Sequence, residues 1–262
     1  MPDYVLIHDM GHGAWAWDYV KAALEDALRR QGPYYHELYS PGTILATDLP
    51  YHGARQGQGD PETLTLDAAV AELVAAVERA RMRSPTIVAH GLSALIALET
   101  ARRLKNRPQR LVLVGGAVPS FVGTPLEELS IITRAIIAAH LLRPGTVPGT
   151  VRLHREAALR LWCRGMDYPD AAVRVLGKVG PVPLKLMDAL PHPGSLTPLC
   201  PVTYVALRKD GLVPFRSQLG AAARLKAELL ELDAGHEAPL SHAMELARVV
   251  LATAAARPRA AA

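Results

Sequence analysis

A chain of 262 residues, half of them apolar, is long enough to bury one large core and falls in the size range where α/β proteins form a single domain. Its net charge of +4 comes from arginines scattered along helical patterns, without the basic and aromatic clusters that nucleic-acid binders use, so no nucleic-acid partner is expected. There is no apolar run of about 18 residues and no cleavable leader, so neither membrane nor export is expected. Cys163 and Cys200 have no metal-ligand or redox spacing, which fits a reducing, cytoplasmic compartment.

In chain order, Tyr4 to His8 reads as a buried strand, followed by similar short apolar runs at residues 43–48, 86–90, 110–114, 202–207 and 228–232. Amphipathic stretches separate them. Leu66, Val70, Leu73, Val74 and Val77 recur at helical spacing behind an N-cap at Thr65. The alternation predicts an α/β fold with a mostly parallel sheet of about six strands and helices on both faces. Residues 120–198 interrupt it with helical patterns at 126–142, 152–163 and 171–179, broken by Pro144-Gly145 and Pro148-Gly149, and with no strand. An insertion there predicts a helical cap over the strand ends where ligands bind. The expected organisation is a core of residues 1–119 and 199–254, a cap of 120–198 and a frayed tail of 255–262.

Five motifs follow the first, second, third, fifth and sixth of these strands. They are Ile7-His8-Asp9-Met10-Gly11-His12-Gly13-Ala14-Trp15-Ala16-Trp17, Asp48-Leu49-Pro50-Tyr51-His52-Gly53, Ala89-His90-Gly91-Leu92-Ser93, Lys209-Asp210-Gly211-Leu212-Val213-Pro214, and Ala234-Gly235-His236-Glu237-Ala238-Pro239. Together they resemble the α/β-hydrolase superfamily over nearly the whole chain. The opening I-H-x-x-x-H-G-A-W-x-W is most similar to the small branch of plant hydroxynitrile lyases, methylesterases and related bacterial hydrolases. The resemblance implies that His236 is the base and Asp210 the acid that orients it. It places Gly91 where the family carries a nucleophilic Ser on a strained strand-to-helix turn.

Each of these residues also has a plainer reading. His236 is a general base held by Asp210, or a structural histidine after a strand; Asp210 is its partner, or a helix N-cap before Pro214. Gly91 lacks the attacking hydroxyl, yet it is the residue best suited to an elbow whose backbone costs other residues about 1 to 3 kcal/mol. Ser93 lies about 200° around the helix from position 91 and should point away. The resemblance assigns the N–H groups of Met10 and Leu92 to an oxyanion hole.

Asp9 is unusual beside that hole, where many relatives carry Gly or a small hydroxyl residue. Partly buried, it would have a raised pKa and could donate a proton, forming an acid/base pair with His236 across the pocket. Otherwise it caps a turn or pairs with a nearby histidine. His8, His12, His52 and His90 have no metal-ligand spacing, so no metal is expected, nor any other cofactor. Trp15 and Trp17 read as staples for the first helix, whereas Trp162 and Met166 read as apolar walls of a ligand pocket.

Three functional classes remain open. The first is non-hydrolytic acid/base chemistry, as in a lyase, isomerase or cyclase, on a small apolar carbonyl or ester-type molecule through His236 and Asp210. The second is a weak or former esterase in which His236 activates water. The third is a noncatalytic protein that binds a small molecule. The sequence leaves the oligomeric state open.

Overall fold

The computed structural model describes residues 3–30, 42–120, 122–141 and 147–255. Six parallel strands form the main sheet: β1 (Tyr4–Ile7), β2 (Ile44–Ala46), β3 (Thr86–His90), β4 (Arg110–Val114), β7 (Val202–Leu207) and β8 (Glu228–Leu232). Their order is β2-β1-β3-β4-β7-β8. In-register pairs such as Leu6 with Val88 and Leu113 with Tyr204 run through the centre.

Strand residues alternate between two cores, as the two-residue repeat requires. Val5, Ile7, Ile87, Ala89, Leu111 and Leu113 face one core, while Tyr4, Leu6, Val88, Val112 and Val114 face the other. Both faces are buried, which explains why β1, β3 and β4 read as continuous apolar runs. β8 differs. It is one of the two edge strands, and its exposed Glu228 and Glu231 pair with Arg110 and Arg208, a charged edge that discourages pairing with another chain.

Helix α1 (Asp18–Arg29) covers the second core, and α2 (Leu66–Arg79) and α3 (Ala94–Arg103) cover the first. The Thr65 hydroxyl accepts the Ala68 N–H at 3.1 Å, so the expected N-cap of α2 is formed. In residues 120–198 the long 126–142 pattern divides into a short turn (Pro125–Glu128) and α4 (Ile131–Leu141). The break falls at Ser130, whose hydroxyl takes the Thr133 N–H at 3.0 Å and so starts a new helix.

Next comes α5 (Arg155–Leu161). The same region also contains two strands the sequence pattern did not reveal, β5 (Thr150–Val151) and β6 (Val182–Pro183), paired antiparallel. Two residues per strand are too few for any periodicity to register. Helix α6 (Phe215–Arg224) returns to the first core, and α7 (Ala243–Ala255) packs beside α1. Residue 255, expected in the tail, ends α7; residues 256–262 lie outside the described residues. No described helix is long and apolar enough to cross a membrane.

Candidate active site

Four loops meet beyond the carboxyl ends of β1, β3, β7 and β8, and each brings one member of a buried cluster. His236 stands between two carboxylates: its Nδ1 is 2.9 Å from Asp210 Oδ2 and its Nε2 is 2.9 Å from Asp9 Oδ2. An ionised carboxylate only accepts hydrogen bonds, so both ring nitrogens donate and the ring is an imidazolium. Burial alone would lower the His236 pKa, but the charges and hydrogen bonds of Asp210 and Asp9 outweigh it and raise the value well above 6.5.

Asp210 is fixed by the N–H groups of Leu212 and Val213, which donate to its Oδ1 at 2.7 and 3.0 Å. Gln218 Nε2 reaches Oδ2 at 3.3 Å. That amide is itself anchored, accepting the Leu207 N–H at 2.8 Å and donating to the Val213 carbonyl at 2.8 Å. Sequence reasoning passed over Gln218. Its signal was a polar residue on the core side of α6, one turn after Pro214.

Gly91 occupies the turn between β3 and α3 with φ 58°, in the left-handed region that other residues enter only with strain. A Cβ built there would fall on the Asp9 carboxyl group: Oδ2 would lie 2.9 Å away, and Oδ1 and Cγ closer still. The carboxylate therefore occupies the space an elbow side chain would take. Its Oδ1 accepts the Leu92 N–H at 2.7 Å, so the donor assigned to an oxyanion hole is already engaged. The Asp9 carbonyl accepts from the His12 N–H at 3.1 Å and the His8 ring at 2.8 Å, which holds the loop in place.

The expectation that Asp9 is the acid of the pair is corrected here. Burial does push its pKa up, but the hydrogen bond and positive charge of His236, with His90 and His12 behind it, hold Asp9 well below the usual carboxylate range. The proton of the pair rests on His236.

A second ion pair adjoins the first. His12 Nε2 lies 2.8 Å from Glu237 Oε1 while its Nδ1 faces the Met10 carbonyl at 3.2 Å, so this ring also donates from both nitrogens. Burial lowers the His12 pKa, but Glu237 more than reverses it; the Glu237 carboxyl is correspondingly depressed. His8, His52 and His90 are instead buried without a carboxylate partner among the described residues. Burial, reinforced by neighbouring imidazoles, lowers them to about 3, about 4 and about 4.

Asp9, His90 and His236 each bring one potential metal-ligand atom within 4.8 Å of the others. Their separation along the chain had concealed this grouping. The rings of His90 and His236 are tilted against each other, with centroids 4.5 Å apart and planes at 33°. Both His236 nitrogens donate to carboxylates, Nδ1 to Asp210 and Nε2 to Asp9, so that ring has no lone pair to offer a cation. The donor set does not fit an ion.

Described residues of the 120–198 segment lie against these loops. The end of α5 lies against Gly211, and the Arg164 carbonyl lies against Gly235. Trp162 is 3% exposed and meets the His12 ring edge-on at 5.3 Å. Met166 is half-buried in packing against the first core. Trp15 stacks on His12 at 5.3 Å, closer to the cluster than a purely structural staple would be. The Gly180 N–H donates to the Gly11 carbonyl at 2.7 Å, tying this segment to the loop that carries Asp9. Asp9 and His236 are both 0% exposed. Ser93 is buried, and its hydroxyl has no hydrogen-bond partner among the described residues, so it does not replace the elbow side chain as a partner of His236.

The profile of the alpha/beta hydrolase family matches residues 4–249. The chain belongs to that family. Several solved alpha/beta hydrolases share its fold. An extracellular alpha/beta-hydrolase from a Paenibacillus species, described as sharing homology with tobacco salicylic acid binding protein 2, superposes with a TM-score of 0.80 at 14% identity, covering 97% of this chain and 99% of that one. A methylesterase from Arabidopsis gives 0.72 at 16% identity, covering 97% and 98%. A pyrethroid hydrolase from Sphingobium faniae gives 0.74 at 18% identity, also covering 97% and 98%. Among curated proteins, none matches this alpha/beta hydrolase in sequence.

Proposed function

We propose that this alpha/beta hydrolase acts on small, largely apolar carbonyl or ester-type molecules by acid/base chemistry at Asp9, His236 and Asp210, in place of attack by an elbow hydroxyl. The supporting observation is His236 with a carboxylate on each nitrogen, one of them seated against Gly91. A carbonyl group that displaces the Asp9–His236 hydrogen bond would meet a donor and a base side by side. His236 Nε2–H polarises the carbonyl oxygen while ionised Asp9 takes the proton from the adjacent carbon, and the enol can then isomerise, eliminate or cyclise. The Leu92 N–H stays on Asp9 Oδ1 and holds the base in place, the Met10 N–H is the remaining backbone donor for the oxygen, and Trp162 and Met166 supply apolar cover. No cofactor is required, and a reducing, cytoplasmic setting suits the two unpaired thiols.

Exchange of α-protons for deuterium in a panel of small apolar ketones and β-keto esters, followed by NMR in heavy water, tests this reading. Exchange lost in both Asp9→Asn and His236→Gln supports it; equal exchange in the folded variants overturns it. Weak ester hydrolysis is the second reading, favoured by the esterase and hydrolase descriptions of the structural neighbours. It requires slow cleavage of activated esters that disappears in His236→Ala. Tight ligand binding without product, unaffected by that substitution, would mark a noncatalytic binder, which the burial of the cluster favours.

A further inference from the structure

The 120–198 segment also holds a cavity of its own. It has a volume of about 340 Å³ and opens where the end of β5, the start of α5 and the turn before β6 meet. Its walls change character with depth. Ala158 is buried and Leu176 and Val179 are half-buried, whereas Arg152, His154 and Arg155 stand exposed around the mouth. None of the described lining residues is acidic, and none belongs to the Asp9–His236 cluster.

The two guanidinium groups at the mouth keep their charge for a ligand. Arg155 is positioned by a hydroxyl group rather than a carboxylate: its Nε and Nη2 donate to the Tyr168 oxygen at 3.1 and 2.7 Å. Arg152 has no hydrogen bond or ion pair among the described residues. Carboxylates of the same segment are engaged elsewhere, Asp170 by Arg174 and Glu128 by Arg224. The frame is also fixed in advance. The His154 N–H donates to His140 Nε2 at 3.0 Å and His140 Nδ1 donates to the Ile136 carbonyl at 2.7 Å, which pins the corner between β5 and α5 to α4. The Val179 N–H donates to the Val175 carbonyl at 3.0 Å and closes the opposite wall. A site held in shape before binding loses less entropy when it is filled.

A cavity of this size takes one small molecule. Two positive charges at its mouth select a negative group, and the planar guanidinium fork matches the two oxygens of a carboxylate. The apolar interior selects a body without polar groups. We propose that this cavity binds small carboxylates with a compact apolar body, the head held by Arg152 and Arg155 and the body against Leu176 and Val179. Val179 directly precedes Gly180, whose N–H ties this segment to the Gly11 carbonyl in the loop that carries Asp9. A bound carboxylate therefore packs against the roof one residue from that tie. The site uses no residue of the acid/base reading, so either can fail alone.

The test is titration of the methyl-labelled protein with 2-naphthoate, with 2-naphthalenemethanol as the uncharged analogue, and with inorganic phosphate as the bare anion, followed by calorimetry and methyl NMR. The expected result is that naphthoate binds at one site, moves the Leu176 and Val179 methyl signals, and binds on the order of tenfold more tightly than either control. Arg152→Gln and Arg155→Gln, both at exposed positions, should each weaken naphthoate binding on the order of tenfold with thermal unfolding unchanged. Equal binding of the alcohol, phosphate binding as tight as that of naphthoate, or signals that move only elsewhere in the protein overturns the proposal. So does full affinity in both variants. The comparison of the three probes on the unaltered protein holds whether or not a variant folds.

Discussion

Replacing Gly91 with Ser is the direct way to place a hydroxyl at the elbow, but the geometry forecasts that it restores no esterase. The new Cβ would lie 2.9 Å from Asp9 Oδ2 and closer to Oδ1 and Cγ, so the carboxylate must leave its place. It would lose the Leu92 N–H and the His236 ring together, leaving a buried imidazolium short of one partner. Removing one partner of a buried pair costs about 3–5 kcal/mol, and a non-glycine residue at φ 58° adds about 1–2 kcal/mol. Gly91→Ser alone is therefore expected to be strongly destabilised and inactive toward aryl acetates. In Gly91→Ser with Asp9→Ala the obstruction is gone, Leu92 N–H is free, and the new hydroxyl faces His236. Urea unfolding of both single variants and the double should show stabilities non-additive by about 2–3 kcal/mol. Ester hydrolysis should rise on the order of a thousandfold over either single change. A Gly91→Ser protein as stable as the parent and as active as the double variant would refute the interlock between positions 9 and 91.

Stability should peak near pH 6.5 and fall on both sides. His236 and His12 have raised folded pKa values, so their contribution is complete below the unfolded value near 6.5 and is lost as pH rises, at about 1.4 kcal/mol per unit for each. His8, His52 and His90 have lowered values, so their contribution is complete above about 6.5 and is lost as pH falls toward 4. Urea titrations from pH 4 to 9 should show this dome, and His236→Gln should flatten its alkaline side; an unchanged alkaline slope would contradict the assignment. Gln218→Met should cost about 2–3 kcal/mol by stranding the Leu207 N–H, and should slow any His236-dependent turnover by letting Asp210 turn. Full turnover in that variant would show that Asp210 does not need the amide. Burial holds the Cys163 and Cys200 thiols up at about 12 and about 11, so both should resist a chromogenic disulfide at pH 8 and react on unfolding. Rapid labelling of the native protein would contradict their burial.

The sheet was legible because its strands are short apolar runs, all but β4 closed by a loop motif, and the Thr65 cap was legible because its partners lie within four residues. β5 and β6 were hidden by their length. The candidate cluster was legible only in its members: Asp9 and His236 were paired in advance, although they are 227 positions apart. The direction of the proton was not legible. It depends on His12, His90 and Asp210 acting together on a fully buried site, and burial alone pointed the other way. Gln218 and the His12–Glu237 pair were missed for a related reason, since their polar atoms acquire meaning only from what the fold sets opposite them.

The hydrogen bond from Gly180 to Gly11 links the roof of the site to the stretch of chain two residues beyond Asp9. Any outward swing of the 179–183 segment that admits a molecule must break that bond or pull Gly11 with it. In the second case the Asp9 carboxylate is drawn off Leu92 and His236 by the same movement that opens the way in. Admission and readiness would then be geared together, and the charged cluster would stay locked whenever the roof is down.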